Sequence, residues 1–281
     1  MSGTTYGEAC KKNLIRFLWI KDDVEAKHIL LACLKKMPVD LRIYAMTFLS
    51  KKTIYLSKKQ RRKIFVPLIE MDFKQALTML LLIQDLRETS LLEDKTYFDL
   101  LIDSLYNDFL KIRYCLLSEL FFLFPSSFMQ QATQILKNAA STEEEKKLAQ
   151  STLDDILPKK VKTLRFITDD ANLARRIEKL PPRLQNKTNF DKQFSFILRG
   201  KSYRSLWTKL CALTCIRRIN DVSVVKDVAD LLSDKNALIR QAALWTLDRL
   251  VVDKKQRKRL FLPLSHDSNS DVANQAAQLL K

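Results

Sequence analysis

The chain holds three glycines in 281 residues, Gly3, Gly7 and Gly200, and two of them fall within its first seven positions. Glycine serves where φ must turn positive or where backbone must approach a ligand closely. Tight β-hairpins, phosphate-cradling loops and nucleophile elbows all draw on it. A chain of this length with one interior glycine is poorly supplied for any of them, whereas helices joined by short polar turns need almost none. With 47% hydrophobic and 29% charged residues, there is apolar content enough for a sizeable core, so the shortage points to a folded all-α protein and not to a disordered one.

From Glu8 onward apolar residues recur at helical spacing, and the runs break at Pro, Asp, Asn or Ser. The pattern predicts helices near 8–19, 22–35, 38–51, 57–69, 72–87, 94–108, 109–124, 127–138, 142–156, 159–168, 170–180, 190–199, 203–218, 221–233, 236–250, 255–264 and 269–280. Alternating period-two stretches are absent. Residues 1–7 read as a disordered arm and 8–281 as a single α-solenoid, with a soft subdivision near 181–190.

A train of short helices raises the question of repeats, and one is visible directly. The run from Lys58 to Leu68, KKQRRKIFVPL, returns from Lys254 to Leu264 as KKQRKRLFLPL, identical at seven of eleven positions. Each copy follows a helix of one pattern, Leu41-Arg42-Ile43 through Leu49 and Ile239-Arg240-Gln241 through Leu247. A weaker echo runs from Leu157 to Ile167. The best-preserved unit, Val225–Leu250, ends its first helix in Leu231-Leu232, turns through Asp234 and Asn236, and opens its second on Ile239-Arg240 before Ala242-Ala243. This unit resembles a HEAT repeat. The physics suits it: Asp or Asn can cap the second helix, small alanines let helices approach, and Arg240 can bridge to a turn aspartate. Asp234, Arg240 and Arg42 are therefore expected to be architectural.

A narrower resemblance comes from Leu100–Phe124 leading to Pro125, from Ala149–Lys159 with Asp154 at its centre, and from Trp207–Leu213 ahead of the repeat unit. That order is similar to the HEAT domain fused C-terminally to bacterial ATP/ADP-translocase-like and related major-facilitator transporters, over roughly residues 95–281. The match departs at Asp155, where the family pattern has Asn, and the transporter itself is missing from this sequence. The resemblance implies a cytoplasmic regulatory or interaction module at the inner face of a membrane.

The strongest functional hint is charge, a formal +17. Lys58, Lys59, Arg61, Arg62 and Lys63 form one dense run, and Lys254, Lys255, Arg257, Lys258 and Arg259 another; a third basic region spans Arg175–Lys209. The two dense runs are candidate contacts for an anionic partner, whether nucleic acid, anionic membrane surface or acidic protein. Solvated solenoid faces give the same pattern, and on that reading the attraction is diffuse and fades near 0.15 M salt. Phe65 and Phe261 sit where the helix should turn inward, so they do not interleave the charge with stacking rings.

No constellation for catalysis emerges. Only His28 and His266 are present, too far apart for a triad or metal cluster. Glu143-Glu144-Glu145 reads as the dipole-favoured start of a helix. The five cysteines are odd in number and four of them, Cys33, Cys115, Cys211 and Cys215, lie in apolar runs, which implies reduced, mostly buried thiols; Cys211 and Cys215 pack a core and do not hold half a metal site. Trp19, Trp207 and Trp245 are expected between repeats. The start of the sequence has no signal-peptide pattern, and the longest apolar stretches reach only about half of a bilayer span. No catalytic, cofactor-binding or metal residue is therefore expected. The sequence predicts a cytoplasmic, non-catalytic HEAT-repeat scaffold for protein–protein interaction. A nucleic-acid-binding solenoid, of the kind found among HEAT-like DNA glycosylases, is the alternative.

Overall fold

A computed structural model describes residues 2–20, 24–50, 56–93, 96–138, 140–156, 190–199 and 205–281. All regular structure among them is helical: α1 Ser2–Ile20, α2 Val24–Cys33, α3 Val39–Ser50, α4 Lys58–Glu93, α5 Tyr97–Leu123, α6 Ser127–Lys137, α7 Glu143–Ile156, α8 Phe190–Arg199, α9 Leu206–Ile219, α10 Val225–Asp230, α11 Ala237–Leu250, α12 Lys254–Phe261 and α13 Ser270–Leu279. Short 3-10 turns lie at Leu34–Lys36, Val222–Val224, Leu231–Ser233 and Leu262–His266. The helices predicted at 159–168 and 170–180, and the echo at Leu157–Ile167, fall outside the described residues.

Three expectations change. Helix α1 starts at Ser2 and so takes in the stretch read as an arm. The segments predicted at 57–69 and 72–87 are one helix, α4, which runs through Pro67. Proline there forfeits the bond to the Lys63 carbonyl, yet Phe65, Leu68 and Ile69 on one side and Ala76, Met79 and Leu80 beyond are buried, and packing carries the helix across. In the second copy Pro263-Leu264 has Ser-His-Asp-Ser-Asn behind it, and α12 gives way to a 3-10 turn at Leu262–His266. The segments predicted at 94–108 and 109–124 also merge, as α5. The expected breaker Asp108 is spent on a tertiary contact, its carboxylate accepting from Ser205 N at 2.9 Å and Thr208 Oγ1 at 2.7 Å.

The chain divides into two compact units: Met1–Leu81 with Phe109–Asn186, and Leu82–Asp108 with Lys187–Lys281. Two of the boundaries fall within continuous helices, α4 and α5.

In the first unit Leu34, Ala45, Leu49 and Phe65 are buried, and Phe65 stacks on Phe122 with ring centroids 5.2 Å apart. Helix starts carry the capping chemistry their sequences foretell. Ser57 and Gln60 exchange side-chain-to-backbone bonds at the start of α4 (2.9 and 3.2 Å), and Thr142 and Glu145 do the same at α7 (2.7 and 3.2 Å), two capping boxes.

In the second unit α9 and α11 pack side by side and run parallel. Lys209 near the start of α9 reaches Asp234 in the turn before α11 (3.8 Å), Thr246 Oγ1 donates to the Leu213 carbonyl (3.3 Å), and Arg217 and Arg218 at the end of α9 share a cleft with Asp248 and Arg249. Helix α13 packs on the other flank of α11, with Gln275 Nε2 donating to the Gln241 carbonyl (3.3 Å). Leu213, Ala243, Leu244, Leu247 and Ala276 fill the layer.

Candidate binding surface

The layer of α9, α11 and α13 is held in register by a recurring turn. Asp234 Oδ1 accepts from Asn236 N (2.9 Å) and Asn236 Oδ1 from Leu238 N (2.9 Å). In the next turn Asp267 Oδ1 accepts from Asn269 N (2.8 Å) and Asn269 Oδ1 from Val272 N (3.2 Å). Arg240 joins the two turns: Nε and Nη2 form a bidentate pair with Asp267 (2.8 and 2.6 Å) and Nη1 donates to the Asp234 carbonyl (2.8 Å). The bond to Arg240 holds the Asp267 carboxyl below its usual range, and the same bond raises the guanidinium further. Arg240 thus meets the backbone carbonyl of Asp234 and pairs with the carboxylate of the following turn, Asp267. The Asp267/Asn269 turn was missed in sequence. Its signal is the Asp-x-Asn triplet recurring 33 residues on, masked because Ala273 stands where Arg240 would repeat.

Arg42, the counterpart of Arg240, behaves differently. The two helices match closely in burial: Leu41 and Ile239, Ala45 and Ala243, Met46 and Leu244, and Leu49 and Leu247 are all buried. Yet Arg42 is 1% exposed, pairs with buried Asp72 at 2.7 Å and lies 4.0 Å from Glu119. It ties helices together inside a core, not a turn to a helix. Burial, reinforced by the Asp72 carboxylate, raises the Glu119 carboxyl well above its ordinary range. A protonated Glu119 leaves one cation facing one anion, the cheap way to bury three ionisable groups.

The two basic runs keep their repeat logic. Phe65 and Phe261 are both fully buried, as the inward turn of each helix requires. Lys58, Lys59, Arg62 and Lys63 are exposed in the first unit, as are Lys254, Lys255, Lys258 and Arg259 in the second. Arg61 and Arg257 are half-buried at equivalent places. Arg257 is a structural clasp: Nη1 pairs with Asp248 at 3.1 Å, Nη2 donates to the Asp248 and Val251 carbonyls (3.1 and 2.8 Å) and Nε also bonds to Val251 (3.2 Å). It closes the end of α11 and draws the start of α12 against it.

The tryptophans overturn an expectation. Trp207 and Trp245 are 57% and 50% exposed, not packed between repeats; the side chain of Trp19 lies outside the described residues. Helical arithmetic explains it. On α11 Ile239, Ala243, Leu244, Thr246, Leu247 and Leu250 face inward, which puts Leu238 and Trp245 on the opposite stripe with Arg249. On α9 the buried face is Thr208, Ala212, Leu213, Cys215 and Ile216, leaving Trp207, Thr214 and Arg218 outside.

Trp245 lies in a cleft of about 730 Å³ with Arg217, Arg218, Asp248 and Arg249. A second cleft, about 570 Å³, is lined by Arg199, Lys209, Asp227, Asp230, Asp234 and Lys235 among others. There the charges satisfy each other: Arg199 Nε donates to Asp227 at 2.6 Å and Lys209 meets Asp234. Among the described residues that line the Trp245 cleft the carboxylate is Asp248, already engaged by Arg257. Arg217, Arg218 and Arg249 form no ion pair among the described residues, and therefore bring net positive charge to the cleft.

Cys211 and Cys215 are buried, as expected, and burial pushes the Cys215 thiol up to about 12. Cys33 is exposed together with Cys10, a departure from its apolar surroundings in sequence. Among the described residues no group of three or more His, Cys, Asp or Glu could hold a metal ion, and no helix is long and apolar enough to cross a membrane. No family model, curated protein or solved structure matches the chain.

Proposed function

We propose that the chain is a non-catalytic binding scaffold of the HEAT type whose main partner is a protein, met on the outward stripes of α9 and α11. The observation that carries this reading is the exposed row of large apolar side chains, Leu206, Trp207 and Leu238 (40%, 57% and 50% exposed), standing at the starting ends of two parallel helices. Their inward faces are fixed by the Arg240–Asp267 tie and the repeated Asp-x-Asn turns. Rigid stacked helices that display tryptophan and leucine to solvent favour burial against a partner, and stacked helical repeats present such extended surfaces as a matter of construction. The resemblance to transporter-fused HEAT domains supports a cytoplasmic role beside a membrane transporter, with the basic surface adding attraction to an anionic leaflet.

The test is capture from native lysate by the full chain, with and without nuclease, set beside the Leu206→Asp/Leu238→Asp variant. The expected result is a protein retained after nuclease and lost from the variant, whose melting temperature is unchanged because both side chains are exposed. A captured set released wholly by nuclease, or held equally by the variant, would overturn the protein-scaffold reading.

A further inference from the structure

We infer that the cleft around Trp245 binds an unpaired nucleic-acid strand, a base lying on the indole and the flanking phosphates on Arg217, Arg218 and Arg249. This goes beyond the protein-scaffold reading and does not rest on it, since the residues lie at the opposite, finishing ends of α9 and α11 from Leu206 and Leu238.

Three observations converge. The first is the pairing of a half-exposed indole with three guanidiniums in one open cleft. Single strands are held by aromatic platforms, which accept any base, combined with positive charge that follows the backbone. Guanidinium is suited to phosphate because its donors form a rigid planar fork. The second is charge balance. The 570 Å³ cleft pairs Arg199 with Asp227 and Lys209 with Asp234, whereas here Asp248 is taken by Arg257 and Arg217, Arg218 and Arg249 form no ion pair among the described residues. The third is continuity. Arg257 clasps the end of α11, so α12 begins at the rim of the cleft, and its exposed Lys254, Lys255, Lys258 and Arg259 extend the positive surface outward. Asp253 caps the start of α12, accepting from Lys255 N and Gln256 N (3.0 and 3.3 Å), and the exposed cations follow it along the helix. The dense run noticed in sequence thereby acquires the aromatic group that it lacked there, supplied by another helix. An acidic peptide would satisfy the arginines but would leave the indole without a planar partner, which is why the strand is favoured.

The experiment titrates the full-length protein with a fluorescein-labelled oligothymidylate at 0.15 M salt, following fluorescence anisotropy, with tryptophan emission as a second signal. Trp245→Ala should weaken binding by about five- to a hundredfold, the loss of one stacked base. Trp245→Phe should restore much of it. Each of Arg217→Gln, Arg218→Gln and Arg249→Gln should lower the slope of log K against log salt by about 0.7, the value per phosphate on a single strand. The Leu206→Asp/Leu238→Asp variant should bind the oligonucleotide normally, which separates failure of this inference from failure of the scaffold reading. Circular dichroism melts of each variant check that folding is intact. Four results would overturn the inference: binding that disappears at 0.15 M salt, equal affinity for Trp245→Ala, displacement of the strand by polyglutamate at matched charge, or tighter binding to phosphatidylserine vesicles than to the oligonucleotide.

Discussion

Replacing Arg240 by alanine removes three hydrogen bonds at once, two to the Asp267 carboxylate and one to the Asp234 carbonyl. Arg240 and Asp267 are 12% and 8% exposed, so water cannot fully replace the lost donors. Asp267 keeps the bond from Asn269 N at 2.8 Å, which spares it complete isolation. Hydrogen bonds to charged groups of this kind are worth about 1.5–3 kcal/mol. At roughly 2–4 °C per kcal/mol for a chain of this size, the expected fall in melting temperature is about 3–12 °C. Arg240→Lys should fall between, because an ammonium cannot reproduce the two-pronged pairing. The pH dependence gives an independent reading. Asp267 has a folded value below its unfolded one, near 3.9, because Arg240 donates to it. Its contribution is therefore present above that unfolded value and is lost as pH falls through the lower folded value. Thermal melts of wild type and Arg240→Ala should differ most at neutral pH and converge in acid, and in Asp267→Ala the arginine substitution should cost little more. An unchanged melting temperature together with lost partner binding would refute the structural assignment and place Arg240 in a binding site.

Glu119→Gln should leave the neutral-pH melting temperature equal or raised, because the folded carboxyl, lifted by burial, already prefers its proton. Stability from that raised value is complete below the unfolded value of about 4.3 and declines as pH rises toward the folded one, so the variant's advantage should vanish in acid; a large loss at pH 8 would contradict the assignment. Lys137 is half-buried, with its ammonium 2.7 Å from Ser118 Oγ and 4.5 Å from the Tyr114 ring centroid, and burial lowers its pKa to about 8. Its contribution is present above the unfolded value of about 10.4 and is lost as pH falls through the folded value, so wild type should gain stability relative to Lys137→Met between these limits, and parallel pH profiles would count against it. Thiol titration of the native protein should modify Cys10 and Cys33 promptly and Cys115, Cys211 and Cys215 only on unfolding; fast reaction of Cys215 would show that its helix opens.

The sites divide by how local their logic is. Asp234 and Arg240 stood out because a turn, its cap and the following helix occupy consecutive residues, but Asp267, which accepts two of Arg240's three bonds, lies 27 residues on. Arg257 did not stand out. In sequence it is one of five charges in a dense run, and only the fold of α12 back onto α11 brings it to Asp248 and two helix-end carbonyls. The Trp245 cleft was equally hidden, since Arg217 and Arg218 precede Trp245 by almost thirty residues and meet it only because α9 and α11 run parallel.

Read alone, the sequence determined the helical class, the helix start at Glu143–Glu145, the inward Phe65 and Phe261, and the recurrence of one helix-and-basic-run pattern. All of these follow from glycine scarcity, from the period of 3.6 and from capping chemistry within a few residues. Tertiary packing decided where helices stop. Pro67 lies inside α4 because buried side chains continue past it, while Pro263 marks an end because turn formers follow. Packing also decided which face of α11 meets solvent, so that Trp245, between buried Leu244 and Thr246, stands half in water. It buried Arg42 between Asp72 and Glu119 and left its counterpart Arg240 at a turn. The physical reason is the same throughout. Local rules set the backbone's period and its caps, but burial, pairing and exposure depend on which distant helix arrives beside a given stripe.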